Sequence, residues 1–401
     1  MPCFTQHVLV LFITLLILHV GSAKADMQPF HHFYTEWGFI FERIIRVNCS
    51  AEYDIYTDGK MPRSKWYETS RWLGSGSTSA NVVPLADCIV KNSPEYMKAG
   101  MAAANVVLGL TPAILSSLGS SVDETSTLFV CGRRPFLAIC LCLGSPGVPP
   151  LRLFEHRQLS QPLERRQGRL KLELYSFATE VLILIAEYVI VFASIANVAQ
   201  LGYEMGSRVV LVFAPHLSYL ILLWLFIGSS AHIFAAVSLS LRVRIEHEEY
   251  EDDDATSGLQ SWIIPWCRKG TTKIFFLPET LFYSFFVGFV SLLIAAHIIF
   301  GTLVFSSVLF ISVRDCMPLI GRLMASVIVC RVVLMYEIAK IRHLCWAEDP
   351  PFLTFEDPED KVDDVRERER GYMTGTDGQR DGFSLIPKFR RFTTFSPGNE
   401  M

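Results

Sequence analysis

Long apolar runs separated by short polar breaks dominate the chain, and their lengths set the first expectation. A helix rises about 1.5 Å per residue, so roughly 20 apolar residues cross the hydrocarbon core of a bilayer. Runs near residues 99–121, 174–200, 209–241, 277–304 and 318–339 meet that length and predict five membrane-spanning helices. The first is rich in Ala, Gly and Ser and contains Pro112. Small residues let helices approach closely in lipid, so this span is expected inside the bundle. The expected fold is all-α, a polytopic transmembrane helix bundle of about five spans over residues 99–343.

The flanks read differently. Residues 1–25 pair an apolar stretch, Val8 to Leu18, with small residues Ala23 and Ala25 ahead of Asp26, the pattern of a cleaved signal peptide. The stretch before it, "MPCFTQH", lacks Lys and Arg, so an uncleaved anchor is the alternative. Residues 26–98 carry no spanning run and predict a small luminal or extracellular region. Residues 344–401 predict a disordered cytoplasmic tail; positions 348–401 hold thirteen acids and eight bases.

Charge orients this plan. With five spans and an outside amino terminus, residues 122–173 face inward with eight Lys and Arg, and the 242–273 loop adds Arg242, Arg244, Arg268, Lys269 and Lys273. Seven spans would place most of these outside, against the positive-inside bias. The stretch Pro135 to Pro150, too short to cross, is then re-entrant or interfacial. A formal net charge of -4 and basic residues confined to span flanks give no reason to expect a nucleic-acid partner.

Local chemistry adds less. "NCS" at Asn48 to Ser50 matches an N-glycosylation acceptor. Cys49 and Cys88 are the two cysteines between the cleavage site and the first span, a disulfide candidate in an oxidising lumen, with two free thiols as the alternative. Seven acids between Glu246 and Asp254 lack the ligand alternation of a calcium loop and read as a solvated charge run. No metal-site spacing, phosphate-binding Gly loop, HExxH or GxSxG occurs, so no catalytic residue, metal or cofactor is expected. The bases and phenylalanines of "KFRRFTTF", Lys388 to Phe395, suit anionic inner-leaflet lipids, and Thr393 and Ser396 are phosphorylation candidates that would regulate such docking.

The ionisable residues inside the apolar runs ask for partners. Glu180 and Glu187 are seven positions apart and fall within about 20° on one helix face. Arg331 in the last run is the expected counter-ion, forming an intramembrane charge pair that fixes spans two and five. His216, His232 and His297 also lie in apolar runs and are candidates for a proton relay. Glu337 is expected at the interface.

Three stretches, "NVVLGLTPAILSSLGSS" (Asn105 to Ser121), "CGRRPFLAICLCLGSP" (Cys131 to Pro146) and "RLMASVIVCRVVLMYEIA" (Arg322 to Ala339), resemble uncharacterised multi-pass membrane proteins of filamentous ascomycete fungi. The resemblance implies a fungal host and no known activity. The function expected is that of a binding, signalling or scaffolding membrane protein with an unknown protein partner or ligand, carried by the secretory pathway to the plasma membrane. The alternative is an ion- or proton-coupled transporter or channel using Glu180, Glu187 and Arg331.

Overall fold

The computed structural model describes residues 28–58, 81–150, 177–247, 272–277, 280–345 and 353–355. The expected signal peptide, Thr393, Ser396 and the tail beyond Phe355 lie outside the described residues. Within them the chain is a helical, membrane-embedded bundle with five helices long and apolar enough to cross a bilayer.

Three helices form a module at one end: α1 (Gly38–Asn48), α2 (Ser50–Asp58) and α3 (Val82–Asn92). Then come α4 (Glu95–Leu118), α5 (Val122–Val130) and α6 (Pro135–Gly144), followed by α7 (Phe177–Arg208), α8 (Leu220–Arg242), α9 (Leu281–Ser306) and α10 (Val313–Cys345). The spans are α4, α7, α8, α9 and α10.

Short strands mark both ends of the otherwise helical bundle. At the module end β1 (Val210–Leu211) pairs antiparallel with β4 (Val308–Leu309), tying the α7–α8 connection to the α9–α10 connection. At the far end β2 (Val243–His247) pairs antiparallel with β3 (Thr272–Phe276), and β5 (Leu353–Phe355) adds parallel to β3. The pairing supplies partners to backbone groups that leave the helices.

Side-chain faces follow the solvent. Leu182, Ile185 and Val189 on α7 and Phe282, Phe285 and Leu292 on α9 are exposed, which in water would be costly and in lipid is the expected outer surface. Inside, Leu108 of α4, Trp224 of α8, Phe305 of α9 and Val327 of α10 are fully buried in one cluster.

The first expected span is the continuous helix α4, Glu95–Leu118. It stops at Leu118, and α5 resumes the descent after only Gly119, Ser120 and Ser121. Contacts place this break within the bundle: a Cβ on Gly109 would sit 3.0 Å from Ser306 at the module end of α9, whereas Thr125 of α5 reaches His232, midway along α8. The stretch expected to be re-entrant turns back up. Arg134, at the start of α6, contacts Glu337, while Gly144 at its end lies against Cys330 and Ser194. Residues 145–150 then run extended, and their Gly147 backbone packs directly on Gly119 and on the Leu115 carbonyl. Non-helical backbone at this depth is tolerated only when protein covers it, and Ser120, Ser145 and Val148 are all buried.

Candidate functional site

Two charged joints and one aromatic joint hold the broken region together. The upper charged joint begins with the end groups of the helices. An α-helix leaves its last carbonyls and first amides unpaired, and neither can be left bare in a membrane. At the start of α5 the Ser121 hydroxyl accepts from the Glu124 amide at 3.2 Å, and the Glu124 carboxylate accepts from the Ser121 amide at 3.1 Å, a capping box. Arg331 from α10 completes it. Its Nη1 and Nη2 donate to Glu124 Oε2 and Oε1 at 3.0 and 3.3 Å, and Nη1 also donates to the carbonyl of Gly119 that ends α4. One guanidinium therefore closes the end of α4 and the start of α5.

The lower charged joint contains Arg134, Glu187 and Glu337. Arg134 Nη1 lies 3.0 Å from Glu187 Oε2 and 2.6 Å from Glu337 Oε2, and all three side chains are almost fully buried. Lys340, one turn on from Glu337, reaches its other oxygen at 3.4 Å. This joint ties α7, α10 and the start of the re-entrant α6.

These contacts correct the expected charge pair. Glu187 meets Arg134, and Arg331 meets Glu124. The reason is helix length: α10 runs on to Cys345, which puts Arg331 about 21 Å from its end and Glu337 about 12 Å, level with Glu187 at about 15 Å along α7. Glu337, expected at the interface, is buried in the bundle. Glu180 sits in the first turn of α7, where a carboxylate favours the helix dipole, and forms no ion pair among the described residues.

The histidines also separate. His297 stacks on Trp224, with ring centroids 4.9 Å apart, and its ring nitrogens lie 3.1 Å from the Trp224 carbonyl and 3.0 Å from the Pro146 carbonyl. Trp224 Nε1 returns a hydrogen bond to the His297 carbonyl at 3.1 Å. A Cβ on Gly228 would come within 2.7 Å of the His297 ring, so the glycine makes room for the stack. His232 Nδ1 contacts Thr125 Oγ1 at 2.7 Å. His216 is exposed in the loop before α8, which begins only at Leu220, so it is not part of an intramembrane relay. His232 and His297 each join a span to the broken region.

Sequence reasoning overlooked Arg134, Glu124 and Asn197. The first two were legible only as residues of an inward loop. Asn197 of α7 donates to Ser326 Oγ at 2.8 Å and accepts from Arg322 Nε at 2.8 Å, a polar joint to α10. An Asn within an apolar run was its available signal.

In the module, Cys49 and Cys88 form a disulfide that ties α1 to α3, as the sequence had suggested. Asn48 is exposed at the end of α1. The module is seated on the bundle through Phe310, whose ring lies 5.3 to 5.9 Å from those of Phe41, Phe33 and Phe30. Phe310 has a positive φ of 68°, a costly conformation for a bulky residue. Asp315 at the start of α10 accepts from Thr35 Oγ1 at 3.2 Å and from the Glu36 amide at 3.3 Å. Burial pushes the Tyr34 phenol well above its usual range, and it pushes that of Tyr56 up to about 12.

Among the described residues no group of three or more His, Cys, Asp or Glu has the arrangement to hold a metal ion. No protein-family model, curated protein or solved structure matches the chain.

Proposed function

We propose that this membrane protein binds a ligand or protein partner at its disulfide-linked module and passes the bound state to the spans. The observation that carries this reading is the module's seat: Phe310 packed among Phe30, Phe33 and Phe41, with Asp315 holding Thr35 and Glu36. Asp315 lies at the start of α10 and Phe310 three residues before it, ahead of the span whose Arg331 closes the α4–α5 turn and whose Glu337 enters the lower joint. A displacement of the module therefore bears on α10 directly. In this reading the module faces the secretory lumen or cell exterior of a fungal host, Asn48 carries a glycan, and the charged tail meets cytoplasmic partners or anionic lipids.

Deletion of residues 356–401 tests the signalling reading: loss of the cellular phenotype with normal insertion supports it, and an unchanged phenotype opposes it. Endoglycosidase treatment tests orientation, since Asn48→Gln should abolish the mobility shift.

Transport of an ion or small charged solute is the second reading, favoured by the break between α4 and α5 meeting the extended residues 145–150 inside the bundle. Discontinuous helices form such sites in many transporters. Solute-dependent flux in liposomes that is lost in Arg331→Ala but kept after tail deletion would favour it.

A further inference from the structure

We propose that Glu187 and Glu337 form a proton-binding site, holding one proton between them beneath Arg134. This stands apart from the reading of the module. Glu187 Oε2 and Glu337 Oε2 both contact the same guanidinium nitrogen, at 3.0 and 2.6 Å, so the two carboxyl groups are neighbours. Like charges held this close away from water disfavour double ionisation.

The hydrogen bonds point the same way. Glu187 Oε1 is buried with no hydrogen-bond partner among the described residues. Glu337 Oε2, despite its short contact with Arg134 Nη1, has no aligned donor either. Arg134 donates in line to Glu187 Oε2, and Lys340 donates to Glu337 Oε1. One oxygen of each carboxyl group thus lacks an aligned donor, and an added proton makes one of them a donor. An unsatisfied buried acceptor is costly, and a carboxyl O–H removes that cost without any rearrangement of the helices.

The surrounding charges and titratable groups leave this balance in place. Arg134 comes from the start of α6, which also presents Cys140; α7 presents Tyr188; α10 presents Tyr336 and Lys340. Lys340 lies over the Tyr336 ring at 4.6 Å and contacts Glu337, so its charge serves that carboxylate. Glu187 forms its ion pair with Arg134, which it shares with Glu337, and Lys340 adds a smaller attraction. The proton moves on and off as H⁺ exchanged with water, and no other bond changes.

Infrared difference spectroscopy of the full chain in lipid, titrated in H2O and D2O, tests this. At neutral pH an un-ionised carboxyl C=O band is expected, shifted by D2O and lost on raising the pH. Either Glu187→Gln or Glu337→Gln should remove it, because the remaining carboxylate no longer has the other beside it; Glu180→Gln should leave it intact. A band that survives both substitutions, or no such band in the wild type, overturns the site. Should the variants not fold, wild-type protein carrying 13C-labelled glutamate decides: a titrating band that moves with the label supports the site, and its absence overturns it.

Discussion

Arg331 binds Glu124, 207 positions before it, with Nη1 3.0 Å from Oε2. The pair pins the turn between α4 and α5, since Glu124 caps the start of α5 and Arg331 also takes the Gly119 carbonyl just past the end of α4.

Breaking this pair should destabilise the bundle while leaving the lower joint in place. Arg331→Ala is expected to cost about 2 kcal/mol, below the range for fully buried pairs because both side chains retain some exposure. Glu124→Arg with Arg331→Glu should recover part of the loss of each single swap, whereas Glu187→Arg with Arg331→Glu should not. Denaturation in detergent, read as a double-mutant cycle, checks both pairs.

Glycine is required where the two irregular backbones meet. A Cβ on Gly119 collides with the Gly147 carbonyl, and one on Gly147 collides with the Leu115 carbonyl. Gly119→Ala and Gly147→Ala should each cost about 3 kcal/mol or prevent folding, while Gly321→Ala, which meets nothing within 4 Å, should be tolerated. Yield and melting temperature of the three variants decide this.

The Cys49–Cys88 bond spans 39 positions and holds α1 to α3. Its removal by Cys88→Ser should cost the module about 2 to 5 kcal/mol. Increased protease sensitivity around residues 38–92, with the bundle still inserted, is the expected result.

Alkaline pH should loosen the same module. Tyr56 donates to the Pro29 carbonyl at 2.8 Å, and burial, aided by Tyr53, raises its phenol to about 12 from an unfolded value of 10.0. The folded state therefore holds this proton more tightly, so the contribution is full below pH 10 and falls as pH rises from about 10 to about 12. Ultraviolet titration should find a late-ionising phenol that disappears in Tyr56→Phe, together with its part of the alkaline stability loss.

The spans were legible because lipid imposes length and apolarity on each helix locally; the runs around Ala178 to Arg208 and Leu281 to Ser306 needed no tertiary information. The two cysteines of the module were equally readable from their isolation in the chain. Pairing was another matter. Helix periodicity put Glu180 and Glu187 on one face but could not show that α10 continues to Cys345, a shift that moves Arg331 away from Glu187 and brings Glu337 level with it. Nor could composition show that Arg134 turns inward. A charge beside an apolar run has the same local signature whether it faces water or closes a joint, and only the packing of α5 and α6 among the spans decides which. Sequence thus determined how many helices suit the membrane, while tertiary structure determined which charges meet, because burial and electrostatic pairing depend on neighbours distant in the chain.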